Sequence, residues 1–256
     1  MTTTVHPTAI IDSAAELGEG VAIGPFAIIG PNVVVGDHTS IGPHATLERD
    51  VTLGSEVRIG QGAVIGGDPQ DLKYRGEGSV VRVGDRTIIR EYATVNRGTE
   101  ATGETVVGED CFLMTYVHVA HDCVLYDHVI IANGTQMAGH VTIQDHVVIS
   151  GLVVIHQFCT IGSYAFIAGG AGVLQDIPPY TKALERKLYG LNSVGLQRAG
   201  FSSETVQALK RAYRLVFNSK LNLTQAVARA RAELPMLDEV KHFLDFVESS
   251  GRGVTA

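Results

Sequence analysis

From Val5 the chain places an aliphatic residue at every sixth position, through Ile11, Leu17, Ile23 and Ile29 to Ile65. The same phase resumes at Val83, Ile89 and Val95, and runs again from Val107 to Val173. Two residues ahead of each sits another small residue, such as Ala9, Val21, Ala27, Ala63, Cys123 and Ala165. Glycine follows the aliphatic residue at 18, 24, 30, 36, 42, 54, 60 and 66. An ordinary strand alternates apolar and polar residues over five or six positions and then turns irregularly. A period of six sustained this long predicts very short strands joined by identical turns and wound into a solenoid. The glycine is expected to serve a tight corner that needs a permissive backbone.

The phase fails only at Asp71, Glu77 and Ala101. These misses mark two polar excursions, about 66–82 and 97–105, on an otherwise regular scaffold, where binding usually lives. After Val173 the pattern stops at Gln175-Asp176-Ile177-Pro178-Pro179-Tyr180. Residues 1–180 therefore read as the solenoid, and 181–256 as a connecting segment followed by a small helical domain. In the latter, Ser202-Ser203-Glu204 opens a helical region with a serine as candidate N-cap, and Val206, Leu209, Tyr213, Val216 and Phe217 recur at helical spacing. Stretches 224–234 and 237–249 read as further helices separated by Pro235.

Composition fits this picture. The 256 residues include 29 glycines, no tryptophan and only 8 Phe and 8 Tyr, so the core is built from small and β-branched aliphatics. An apolar content of 45% with 18% charged residues excludes a disordered chain. The net charge of -7 excludes a generally basic nucleic-acid-binding surface. No apolar run is long enough to span a membrane, and the first thirty residues lack a signal peptide's basic start and apolar block, so a cytoplasmic location is expected. Cys111, Cys123 and Cys159 form no CxxC pair and read as core residues.

The six-residue pattern resembles the hexapeptide-repeat family of left-handed parallel β-helices, in which three hexads make one triangular coil. The fold expected is thus mainly β, a left-handed parallel β-helix followed by a C-terminal helical domain. Parallel stacking would place residues 18 apart above one another. One column then carries His121, Gly139 and Gln157, and its neighbour Asp122, His140 and Phe158. His118 and His156 lie close by. Imidazole titrates near neutrality and can take a proton from a hydroxyl, so His121 is a candidate general base. Asp122 is a candidate to orient it, and the Gly139 N–H could face a developing oxyanion. No cysteine or carboxylate set completes a zinc site around His118 and His121. The remaining outward histidines, His38, His44, His128 and His146, read as surface residues, and His6 and His242 similarly.

The strings Asp71-Leu72-Lys73-Tyr74, Asn96-Arg97-Gly98-Thr99, His118-Val119-Ala120-His121-Asp122-Cys123, Ala138-Gly139-His140-Val141, His156-Gln157-Phe158-Cys159 and Gln175-Asp176-Ile177-Pro178-Pro179-Tyr180, with the helical tail, are similar to the acyl-ACP:UDP-N-acetylglucosamine O-acyltransferases. That resemblance implies a homotrimer with sites between neighbouring β-helices. It also implies transfer of a 3-hydroxyacyl group from acyl carrier protein to the sugar 3-hydroxyl, the first step of lipid A biosynthesis. His121 would be the base, Gly139 the oxyanion donor and Asp122 the orienting carboxylate. Asp71, Lys73, His118, His140, His156, Gln157, Asn192 and Arg198 would bind substrate, and Gly169 would set the depth of the acyl groove, here left open for a longer chain. No metal, other cofactor or covalent acyl-enzyme is implied.

Residues 182–220 carry eight basic and two acidic side chains, a patch suited to an acidic carrier protein. The sequence departs from the family at 184–190, at Val194 and Ala199 near Arg198, and at Asn96. Those departures predict rearranged nucleotide contacts and leave a 3-amino UDP-sugar open as acceptor. A γ-carbonic-anhydrase-like metal site and a non-catalytic scaffold are the remaining alternatives.

Overall fold

A computed structural model describes residues 2–256. The repeats build three parallel sheets of nine, nine and eight strands, most strands only two residues long, and two strands beyond residue 180 bring the first sheet to 11. The chain visits the three faces in turn, so each coil is a triangle, and the solenoid is a left-handed β-helix. In the regular part the register is 18 residues, as in Val124 to Thr142 to Thr160. Ile59 pairs with Ile89, 30 residues on, and Val83 with Val107, 24 on. The two excursions therefore insert two hexads and one hexad, which is why they account for three misses in phase and leave the pattern intact beyond them.

Both apolar positions of the hexad point inward. Ile29, Leu47, Ile65, Leu125 and Ile143 are all but wholly buried, and so are Ala27, Ala45, Ala63, Cys123 and Val141 between them. Each aliphatic side chain so buried contributes about 1.5–3 kcal/mol. Burial pushes the thiols up, to about 11 for Cys111 and Cys159 and about 12 for Cys123, in keeping with core cysteines.

The corners differ from expectation. Left-handed backbone falls three residues after the aliphatic position, at Phe26, Asn32, His38, Asp122, His140 and Phe158 among others, and mostly on residues other than glycine. The glycine that follows the aliphatic residue meets a different demand, the close approach of the next coil. A Cβ on Gly30 would lie 1.6 Å from the Glu48 carbonyl oxygen. The left-handed corners project their side chains outward in ladders, where rings stack: His128 on His146, His146 on Tyr164, His140 on Phe158. A triangular coil filled by aliphatics thus keeps its large rings outside.

Past residue 180 the sheet does not stop. Thr181–Leu184 continues the first face by pairing parallel with Phe166–Ile167, and Lys187–Leu191 folds back on it antiparallel. The connecting segment is thus a hairpin that closes the solenoid. Four helices follow, α1 (Ser193–Arg198), α2 (Ser203–Phe217), α3 (Leu223–Glu233) and α4 (Asp238–Ser249). Asn192, Ser202 and Asn222 cap the first three with side-chain oxygens. The helices share a second core around Leu209, Val227 and Phe243. His242 in α4 is not a plain surface residue, because its Nδ1 lies 2.9 Å from the Tyr180 hydroxyl. Among the described residues no helix is long and apolar enough to cross a membrane.

Candidate active site

Each passage from the second face to the third crosses one long edge of the prism. On successive coils that edge carries the first excursion (between strands Val64–Gly67 and Val80–Val83) and the second (between Thr94–Asn96 and Glu104–Val107). Next come His121-Asp122, Gly139-His140 and Gln157-Phe158. Backbone bonds from His140 N–H to the His121 carbonyl, 3.0 Å, and from Phe158 N–H to the Gly139 carbonyl, 3.2 Å, place these corners above one another.

His121 Nδ1 lies 2.7 Å from Asp122 Oδ2. The Asp122 carboxylate is inaccessible to solvent and accepts three further hydrogen bonds: from Thr99 N–H at 2.9 Å, from the Thr99 hydroxyl at 2.8 Å and from the Thr102 hydroxyl. Burial alone would push this carboxyl up. The hydrogen bonds from Thr102, His121 and Thr99 together outweigh it and hold the group below the usual carboxylate range. An ionised acceptor at Nδ1 assigns the ring proton to that nitrogen and leaves the lone pair on Nε2.

Gly139 lies against this imidazole. A Cβ there would stand 2.4 Å from His121 Cε1 and 2.7 Å from Nε2, so any side chain would displace the ring. No hydrogen bond among the described residues uses the Gly139 N–H. His140 meets His121 edge-on, with centroids 5.1 Å apart, while its Nε2 is 3.6 Å from Asp122 Oδ2. His118, on the second face, is bound through Nδ1 to the Thr94 hydroxyl at 2.7 Å, and burial followed by the His121 charge lowers its pKa. Gln157 is exposed beside these groups. His156 Nδ1 lies 3.0 Å from the Arg252 guanidinium and 3.2 Å from the Gln157 carbonyl oxygen.

Asp71 and Lys73 lie in the first excursion on this same edge, where Asp71 Oδ1 accepts the Lys73 N–H at 2.9 Å. Asn192 and Arg198 lie elsewhere in the chain. They line a groove of about 550 Å³ against His128, His146, Tyr164 and Lys182, on the edge between the third and first faces. Val194 and Ala199, the two departures near Arg198, line the same groove. Gly169 lies on the remaining edge, stacked over Gly151, whose carbonyl oxygen a Cβ would approach to 3.3 Å. One chain thus brings together the His121 cluster and the two excursions, but neither Arg198 nor Gly169.

Sequence reasoning gave no role to Thr99, Thr102, Arg97 or Arg252, although Arg97 and Thr99 stand in one of the strings that carry the resemblance. The two threonines and Arg97 belong to an inserted hexad that has no column to be read from, and Arg252 lies 96 residues from its partner. His121, Asp122 and His140 also offer ligand atoms within 4.8 Å of one another, the only such group among the described residues. The Asp122 oxygens in it are already engaged by four donors, which accounts for the cluster without an ion.

A family model described as UDP N-acetylglucosamine O-acyltransferase, domain 2, matches residues 176–255. A second, the bacterial transferase hexapeptide of six repeats, matches 14–49, 32–67 and 104–139. The acyl-[acyl-carrier-protein]–UDP-N-acetylglucosamine O-acyltransferase of Myxococcus xanthus is 51% identical over 98% of both chains, and that of Thermodesulfovibrio yellowstonii 47% identical over 98% of both. The crystal structure of a UDP-N-acetylglucosamine acyltransferase from Bacteroides fragilis superposes with a TM-score of 0.97 at 42% identity, covering 99% of this chain and 100% of that one. The Acinetobacter baumannii structure reaches 0.96 at 39% identity, covering 98% and 99%.

Proposed function

The chain belongs to the UDP-N-acetylglucosamine O-acyltransferase family, and from that premise we propose that His121 Nε2 is the base that removes the proton from the sugar 3-hydroxyl. The enzyme is an acyltransferase that moves a 3-hydroxyacyl group from acyl carrier protein to UDP-N-acetylglucosamine, opening lipid A synthesis. The relatives are named O-acyltransferases, which favours a hydroxyl over a 3-amino acceptor.

The hydrogen bond of 2.7 Å between His121 Nδ1 and the ionised, buried Asp122 carries this reading. It fixes the tautomer and steadies the imidazolium that forms when Nε2 takes the proton. The sugar oxygen attacks the thioester carbonyl, and the Gly139 N–H donates to the resulting oxyanion. Collapse expels the carrier's thiolate, which recovers the proton from His121. A positioned base contributes about 10²–10⁴-fold and an oxyanion donor about 10²–10³-fold. Asp71, Lys73, His118, His140, His156 and Gln157 bind and orient the two substrates along the same edge. Arg198, Asn192 and Lys182, which line one groove, hold the sugar nucleotide, with Arg198 and Lys182 carrying the diphosphate.

Since those residues occupy another edge, we place each site between two chains of a homotrimer. Apolar side chains exposed on the outer faces, among them Ile10, Ile28, Ile130 and Val154, support such an assembly. Gly169, on the third edge, sets acyl length there, and the exposed bases Lys187, Arg211 and Arg214 receive the acidic carrier. A thioester donor and three buried free thiols fit a cytoplasmic setting.

The test is acylation of UDP-N-acetylglucosamine by a panel of 3-hydroxyacyl carrier proteins, wild type against His121→Ala. Wild type is expected to form the acylated nucleotide, and the variant to lose about a hundredfold or more in kcat with KM held. Failure of wild type at every chain length, or full activity of the variant, would overturn the reading.

A further inference from the structure

Arg97 opens the second excursion and is the largest polar side chain in the interior, with 1% of its side chain exposed. Its Nη1 donates to the Gly66 carbonyl, and its Nη2 to the Asp68 carboxylate and, at 3.2 Å, to the Tyr74 hydroxyl oxygen. The Arg97 backbone N–H donates to the Gly67 carbonyl at 2.9 Å, and Asn96 Nδ2 to the Asp68 carbonyl. Every partner lies in 66–74, the limb of the first excursion that carries Asp71 and Lys73. Nε has no partner. Apolar packing generally serves stability better than a buried, incompletely satisfied cation, so the fork's geometry is what this arginine supplies. Two residues further on, Thr99 grips the Asp122 carboxylate through N–H and hydroxyl, and Thr102 does so through its hydroxyl.

We propose that the 97–103 segment is a strut between the two halves of the site. Arg97 is a positioning residue that sets the substrate loop, while Thr99 and Thr102 set the carboxylate behind the base. The proposal rests on the reading of Asp71 and Lys73 as substrate contacts and of His121 as the base. The two ends of the strut should separate kinetically: loosening the Arg97 end misplaces a binding loop, whereas loosening the threonine end misplaces the base's partner.

Steady-state kinetics on the full chain test this with Arg97→Met, Arg97→Lys, Tyr74→Phe, Lys73→Ala and the pair Thr99→Val with Thr102→Val. Arg97→Met is expected to raise KM for one substrate about tenfold with little change in kcat. Combined with Lys73→Ala it should add almost nothing, because both act through one loop. Arg97→Lys keeps the charge but not the fork, so it should raise the same KM while folding as wild type, and it carries the test with Tyr74→Phe where Arg97→Met does not fold. The threonine pair should lower kcat about tenfold or more and leave KM alone. If Lys73→Ala raises KM while the folded Arg97 variants do not, the strut is wrong and the substrate loop stands. If Lys73→Ala and Asp71→Asn both leave KM unchanged, the reading of the loop itself fails.

Discussion

Asp122 accepts hydrogen bonds from four donors on three residues while wholly removed from solvent. Asparagine at 122 would keep the shape but turn an N–H₂ group toward donors and release the His121 tautomer. Asp122→Asn should therefore lower kcat severely with KM held, and should destabilise the fold at pH 7 by about 1–3 kcal/mol. The pH dependence has a definite sign. The carboxyl is lowered in the folded state, so its contribution is full above the unfolded value near 4 and is lost as pH falls through the folded value. Melting temperatures of wild type and Asp122→Asn should converge as pH falls below about 4; a gap that stays constant down to pH 2 would show the carboxylate is not ionised in place. Gly169 offers a second residue-scale test, since only backbone and Ser150 border the space its side chain would enter. Gly169→Met should shift the preferred donor toward shorter 3-hydroxyacyl chains in a competition assay, leaving the His121 chemistry intact. An unchanged chain-length profile would remove Gly169 from the acyl path.

At the scale of the hexad, two corner positions that both attract glycine answer different constraints. Gly30 has ordinary backbone but no room, since a Cβ would meet the Glu48 carbonyl; Gly170 has left-handed backbone, φ +71, and nothing within 4 Å. Gly30→Ala should cost about 1–3 kcal/mol by forcing two coils apart, whereas Gly170→Asn should stay within about 0.5 kcal/mol, since asparagine tolerates that conformation. Denaturation midpoints of the two variants decide it, and equal shifts would sink the close-approach account. This distinction was invisible in the sequence, where glycine advertises only permissiveness. The solenoid itself was legible because every hexad repeats one physical demand, an inward aliphatic six residues after the last. The His121, Gly139 and Gln157 column followed from that repetition. The inserted hexads share no column, so the grip of Thr99 and Thr102 on Asp122 could not be read. The hairpin that closes the first sheet was hidden for a related reason: Thr181–Leu184 extends the sheet after the phase has ended.

The whole molecule sets the last constraint, because the residues assigned to one reaction lie on three different edges of one prism. His121, Asp71 and Lys73 share the edge between second and third faces, Arg198 and Asn192 line a groove at the next, and Gly169 occupies the third. A rigid β-helix cannot fold these edges together, and if each helps one substrate molecule react, neighbouring chains must supply them. Cyclic symmetry then gives every interface the same pairing, His121 from one chain and Arg198 from the next. Mixed trimers make that testable. His121→Ala and Arg198→Ala homotrimers should each be nearly inactive, yet coexpression in equal amounts should restore about a quarter of wild-type activity, the fraction of interfaces at which both contributors are wild type. A site completed within one chain admits no such rescue, since every chain in the mixture then carries one lesion. Sedimentation of the mixture as trimers, with the activity following that peak, would tie the restored turnover to the interface rather than to reversion.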